Sequence, residues 1–181
     1  MKYNPEINHR KSIRIKKYDY AQSGFYFITI CTLNRENLFG EINGSKMVLN
    51  HFGKIVEDCI KNIPKHFLNT DIDYFVVMPN HIHLVVIIDD HRHSAINCRD
   101  TACRVPTESF GKPVAGSLPT IIRSLKSAIT KQINIIRNML GIPVWQRNYF
   151  EHIIRNEKEL HKIRKYIEYN PLYWNQDEYN K

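Results

Sequence analysis

Two histidines one residue apart, His81 and His83, lie inside the run Tyr74-Phe75-Val76-Val77-Met78-Pro79-Asn80-His81-Ile82-His83-Leu84-Val85-Val86. The Val, Ile and aromatic residues around them read as strand. Residues two apart on a strand share a face, so the two imidazoles point the same way. That arrangement suits a metal ion; taken alone, it reads equally well as two core or surface histidines. Tyr166 and Asn170 stand four apart in Lys165-Tyr166-Ile167-Glu168-Tyr169-Asn170, which stacks them on one face of a helix. Tyr166 falls about 60° round the helix from Ile163, at the edge of the stripe Leu160, Ile163 and Ile167, and can face a site between helix and sheet. His81, His83 and Asn170 together can hold a divalent ion with positions left open for substrate oxygens. The Tyr166 hydroxyl can then attack phosphorus and form a phosphotyrosine. Such an intermediate conserves the phosphodiester energy, so a tyrosine nucleophile implies strand transfer, whereas water implies degradation. Composition does not choose among the ten tyrosines, and Tyr149 is the chief competitor.

The chain that must position these groups has 181 residues, enough for one domain with a real core. Lys and Arg number 26 against 18 Asp and Glu, a formal charge of +8, with a pI near 9.3. Such an excess favours a polyanionic partner, most commonly nucleic acid. Residues 1–14 are polar, without the apolar core of a signal peptide, and no apolar run is long enough to span a bilayer. A cytoplasmic, nucleoid-associated location and no membrane partner are expected. Cys31, Cys59, Cys98 and Cys103 lack Cys-x-x-Cys spacing and read as free thiols rather than a zinc site.

The expected elements follow from periodicity and breakers. Residues 1–20 form a basic arm, 21–174 a single domain and 175–181 a tail. Phe25–Leu33 reads as a strand, and Ser45–Ile63 as a helix stopped by Pro64. Asp71–Met78 and His81–Ile88 form an antiparallel pair across a Pro79-Asn80 turn. Residues 89–116 form a long loop. Ser117 caps a helix whose stripe is Leu118, Ile121, Ile122, Leu125, Ile129, Ile133, Ile136 and Leu140, with Gly141 at its end. Trp145–Arg155 reads as a fourth strand. Asn156 and Glu159 open a last helix that ends near Asn170 before Pro171. The order β-α-β-β-α-β plus a helix predicts an α+β, ferredoxin-like split βαβ fold. It has a four-stranded antiparallel sheet, helices on one face and a C-terminal helix carrying the nucleophile.

Three segments carry a resemblance: Met78-Pro79-Asn80-His81-Ile82-His83-Leu84, Trp145-Gln146-Arg147-Asn148-Tyr149-Phe150-Glu151-His152-Ile153-Ile154-Arg155, and Tyr166-Ile167-Glu168-Tyr169-Asn170-Pro171. In that order, across most of residues 23–174, they resemble the HUH-type single-tyrosine transposases. The REP-associated branch is the nearer match, from the Trp145-Gln146-Arg147 lead and the Asn-Pro helix end. The insertion-sequence branch typically has Gln where this chain has Asn170, and either amide offers a carbonyl oxygen to a hard cation. The resemblance implies metal ligation by His81, His83 and Asn170, with Mg²⁺ or Mn²⁺ as the ion, and Tyr166 as nucleophile. It implies DNA transposition on single-stranded DNA bearing a hairpin, through a 5′-phosphotyrosine, by a monomer or a homodimer.

Arg123 and Lys126 are the expected DNA contacts on the long helix, and Arg147, Arg155 and Lys162, with Lys158 and Lys165, on the approach to Tyr166. Trp145 and Tyr149 could stack on unpaired bases or fill the core. His152 is expected near the site or on DNA rather than as a ligand, and His91 and His93 in a solvated loop. Two competing readings remain: a binding protein of the same fold without turnover, and a His-x-His phosphodiesterase that uses water.

Overall fold

A computed structural model describes residues 18–89 and 114–180. The basic arm as far as residue 17 and most of the expected loop, with His91, His93, Cys98 and Cys103, lie outside the described residues. The strands are β1 (Gly24–Cys31), β2 (Gly40–Asn43), β3 (Lys46–Leu49), β4 (Thr70–Val77), β5 (His81–Ile88) and β6 (Phe150–Ile154). The helices are α1 (His51–Lys61), α2 (Ile63–His66), α3 (Leu118–Ile136) and α4 (Glu157–Tyr169). The main sheet runs β4-β5-β1-β6, all antiparallel, which is the split βαβ arrangement expected from the sequence.

The two faces of this sheet do different jobs. Tyr26, Ile28 and Ile30 of β1, and Ile82, Leu84 and Val86 of β5, meet Val56 and Ile60 of α1 and Ile121, Leu125 and Ile129 of α3 in the main core. The alternate residues face the other way. Phe27 and Val85 pack with Leu160 and Ile167 of α4 in a second, smaller cluster. β5 is therefore covered on both sides, which is why its sequence is apolar nearly throughout rather than alternating. His81 and His83 lie on the α4 side, in register with Cys31 and Thr29 of β1.

The β4–β5 hairpin closes across Pro79-Asn80 as expected, with the Met78 N–H donating to the His81 carbonyl at 2.8 Å. Several expectations are corrected. Ser45–Ile63 is not one helix: Lys46–Leu49 pairs with Gly40–Asn43 as a hairpin, and α1 begins only at His51. Gly44 (φ 53°) and Ser45 (φ 69°) supply the two left-handed residues of its tight turn, and Asn50 caps α1 by accepting from the Gly53 N–H at 3.0 Å. Pro64 does not stop α1, which ends at Lys61; it sits in the first turn of α2. α3 ends at Ile136 rather than at Gly141, because Asn138 takes a left-handed φ of 54°. Leu140 consequently leaves the stripe and is 78% exposed. Ser117 stands at the N-cap position, but its hydroxyl donates to the Val114 carbonyl at 2.8 Å instead of capping α3. The fourth strand is shorter than Trp145–Arg155: Trp145 makes only an isolated bridge to Thr32, and the ladder begins at Phe150.

Candidate active site

β5 brings the two imidazoles together, with His81 Nε2 and His83 Nε2 3.0 Å apart and both rings buried. Their outer nitrogens are held by neighbours that fix which atoms face inward. Asn80 donates through Nδ2 to the Arg35 and Tyr179 carbonyls, so its Oδ1 is the atom 2.8 Å from His81 Nδ1. That nitrogen must donate, which leaves the His81 Nε2 lone pair bare. His83 Nδ1 lies 2.8 Å from Thr29 Oγ1; with the hydroxyl accepting, His83 Nε2 is bare as well. Such outer partners are the usual means of orienting imidazole ligands.

α4 crosses this face and brings Tyr166 and Asn170. Its start is fixed by Asn156 Oδ1, which accepts from the Glu159 N–H at 2.9 Å. Glu159 in turn accepts from the Arg155 N–H and meets His152 Nε2 at 2.7 Å. His152 is thus engaged with the helix start. Leu160, Ile163 and Ile167 then seat α4 on Phe27, Val85 and Val76. The result places Tyr166 OH 3.3 Å from His83 Nε2, with the Tyr166 ring edge-on to Phe27. Tyr166 is 43% exposed, so the hydroxyl reaches the histidines from a position that solvent or substrate also reaches.

Asn170, at the end of α4, is buried, and its Nδ2 donates to Asp177 Oδ2 at 2.7 Å. Its Oδ1 is buried without a hydrogen-bond partner, although it lies near enough to His81 to favour the imidazolium. Asp177 itself was not anticipated. After Pro171 the chain turns back, and Trp174 stacks on His81 at 6.0 Å between ring centres. The Tyr179 ring comes to 4.7 Å from that of His81. His81, His83 and Asp177 thereby place one ligand atom each within 4.8 Å of one another. No periodicity links Asp177 to β5; the only sequence signal was a carboxylate a few residues beyond Asn170.

The electrostatics follow from burial. Desolvation lowers His81 to about 4, against the opposing pull of Asp177. Desolvation first, and then His81, lowers His83. Both rings are thus held neutral. Tyr166 is pushed above the usual phenol range by burial and then by Asp177. Two bare imidazole nitrogens facing each other, an orphaned amide oxygen and a carboxylate leave the site short of positive charge. A proton is disfavoured there by burial, and the donor set fits a divalent cation.

The remaining expected residues divide. Arg155 and Lys162 are exposed on the α4 side, with Lys158 and Lys165, and Arg147 is exposed ahead of β6. Arg123 is exposed on α3, the layer on the opposite side of the sheet from the histidines. Lys126 is turned to a different use: its Nζ donates to the Gln146 and Arg147 carbonyls at 2.6 and 3.2 Å, tying α3 to the lead into β6, and burial lowers its pKa. Trp145 is buried beside Phe39, and Tyr149 packs against the core on the α1/α3 side. Neither is placed to stack a base at the histidines, and Tyr149 does not compete with Tyr166 there.

A split βαβ sheet with His-x-His on a central strand, crossed on that face by a tyrosine-bearing helix, is the arrangement that the sequence resemblance to the HUH-type single-tyrosine transposases implies. No family model matches the chain. It is 42% identical over 179 residues to an uncharacterised protein of Haemophilus influenzae, covering 98% of this chain and 96% of that one. It is 23% identical over 155 residues to a protein of the same organism described, provisionally, as a REP-associated tyrosine transposase, covering 85% of this chain and 73% of that one. Among solved structures, a REP-associated tyrosine transposase bound to a REP hairpin superposes with a TM-score of 0.54 at 18% identity, covering 90% of this chain and 73% of the other. The chain is thus distantly similar to the REP-associated tyrosine transposases and shares the fold of the solved one. Among the described residues, no helix is long and apolar enough to cross a membrane.

Proposed function

We propose that this protein nicks and rejoins single-stranded DNA through a covalent bond between Tyr166 and a 5′ phosphate. The observation that carries the proposal is the 3.3 Å approach of Tyr166 OH to His83 Nε2, at the edge of a buried donor cluster. In the forward step the phenolic oxygen forms a bond to phosphorus and gives up its proton, the bond from phosphorus to the 3′ oxygen breaks, and that oxygen takes up a proton from solvent to leave as a 3′ hydroxyl. The free 3′ hydroxyl, or another one, reverses the step and restores the backbone without an external energy source.

His81, His83 and Asp177, with the orphaned Asn170 Oδ1, are the residues that would hold a divalent metal. Such an ion, Mg²⁺ or Mn²⁺, would polarise the scissile phosphate and offset the Asp177 charge that, after burial, raises the Tyr166 pKa. Asn80 and Thr29 keep the imidazole lone pairs turned inward. Arg155 and Lys162 supply exposed positive charge on the α4 side, and with the exposed Arg147 they can neutralise strand phosphates. The hairpin in the relative's solved complex suggests the substrate form, a single strand carrying a hairpin.

The test is incubation of the full chain with Mn²⁺ or Mg²⁺ and a synthetic hairpin oligonucleotide with single-stranded flanks, followed by denaturing electrophoresis. A covalent adduct is expected from the native protein and none from Tyr166→Phe. An adduct that survives in Tyr166→Phe refutes the nucleophile. Cleavage that leaves free 5′ phosphates without an adduct assigns the attack to water, and binding without cleavage under either metal assigns a binding role.

A further inference from the structure

Asp73 occupies an irregular position in β4. Ile72 pairs with Val86 and Tyr74 with Val85, so Asp73 is an extra residue with no partner on β5. Such a bulge re-aims side chains by interrupting the strict alternation of a strand. Here its effect is to present a carboxylate to the helix that crosses the sheet. Arg164 of α4 grips Asp73 with both arms, Nε to Oδ2 at 2.8 Å and Nη2 to Oδ1. The Asp73 side chain is only 13% exposed. A two-armed guanidinium–carboxylate contact fixes orientation as well as distance.

Arg164 lies two residues before Tyr166. Leu160, Ile163 and Ile167 add apolar, non-directional contacts along α4. They hold the helix against the sheet but constrain its rotation weakly. Tyr166 is 43% exposed, and its ring meets Phe27 and His83 edge-on. The end of a long side chain lies about 5–6 Å from a helix axis, and a rotation of about 10° displaces it by about 1 Å. From 3.3 Å, that displacement parts Tyr166 from His83. We propose that the Asp73 bulge and Arg164 act as a positioning clamp that sets the rotation of α4 and so holds the Tyr166 hydroxyl at the histidines. The role rests on Tyr166 as the nucleophile; the clamp itself does not.

Two measurements on the full chain separate the two claims. In hydrogen–deuterium exchange without DNA, Asp73→Asn and Arg164→Gln are expected to speed exchange of the 163–169 amides by about tenfold, with β5 and α3 unchanged. In the hairpin-oligonucleotide assay, the same variants are expected to form adduct about 10–100-fold more slowly, with oligonucleotide affinity within about twofold of the native value. Arg164→Lys, which keeps the charge but loses the fork, is expected to lie between. Unchanged exchange in α4, or equal acceleration in α3 and β5, overturns the clamp. A loosened α4 with an undiminished adduct rate, or an adduct rate that falls only in step with the melting temperature, overturns its positioning role. If the native protein forms no adduct, the nucleophile reading fails, while the exchange result still decides the clamp.

Discussion

Acidification is expected to unfold this protein earlier than its carboxylates alone would require, because its two buried histidines must take up protons to unfold. His81 is held at about 4 in the folded chain by burial, against about 6.5 in an unfolded one. Between those values the unfolded chain binds more protons than the folded chain, so stability rises with pH. The contribution is complete above about pH 6.5 and is lost as pH falls toward 4. From pH 7 to pH 5, one such group contributes about 2 kcal/mol of destabilisation, and His83, lowered by the same cause, adds in the same direction. A urea slope of about 2 kcal/mol per molar converts the His81 share alone into a midpoint about 1 M lower at pH 5. Urea titrations of metal-free protein at the two pH values measure it. A double variant, His81→Gln with His83→Gln, retains every other histidine, so the difference between the two proteins isolates the pair. Equal pH dependence in the native protein and the double variant refutes the reasoning.

Asp177→Ala is expected to weaken Mn²⁺ binding by at least about tenfold, measured by calorimetry, because it removes the only carboxylate among the grouped donors; unchanged affinity would exclude it as a ligand. Manganese is expected to bind more tightly than magnesium, since two imidazoles sit among the oxygen donors, and equal affinities by the same titration would count against the His81/His83 set. Lys126→Met is expected to lower the melting temperature while leaving oligonucleotide affinity within about twofold, because its ammonium is spent on the Gln146 and Arg147 carbonyls; Arg155→Ala is expected to weaken binding and flatten its salt dependence. Gly53→Ala is expected to destabilise the protein by about 1–3 kcal/mol in urea titration, against the usual helix preference for alanine. The added methyl would stand 2.2 Å from the Phe39 carbonyl oxygen.

Local signals were the readable ones. β5 was legible residue for residue because a long apolar strand, a Pro-Asn turn and a preceding strand agree with one another. α4 was legible because Asn156 and Glu159 mark its start and Pro171 bars its continuation. The 46–49 segment was misread because Met47 and Val48 extend the helical spacing of Phe52, Ile55 and Val56, while Met47 and Leu49 share the inward face of a short strand. What decides between them is the Gly44-Ser45 turn, whose partner strand is itself too short to announce itself. The overlong fourth strand failed for a related reason. Trp145 is apolar enough for a strand, but it is buried against Phe39, where the ladder has not yet begun.

By itself the sequence determined the split βαβ order, the shared face of His81 and His83, and the shared face of Tyr166 and Asn170, since each depends only on the repeat of one strand or one helix. Tertiary structure alone decided that those two faces meet, with Tyr166 OH at His83 Nε2. It also decided that Asn80 and Thr29 turn the imidazoles inward, that Asp177 returns to the site and that Lys126 is occupied elsewhere. These depend on where distant segments come to rest under the packing of Phe27, Val85 and Ile167 and of Trp174 on His81. Contacts of that kind are set by the shape of the whole core, and no local period in the chain encodes them.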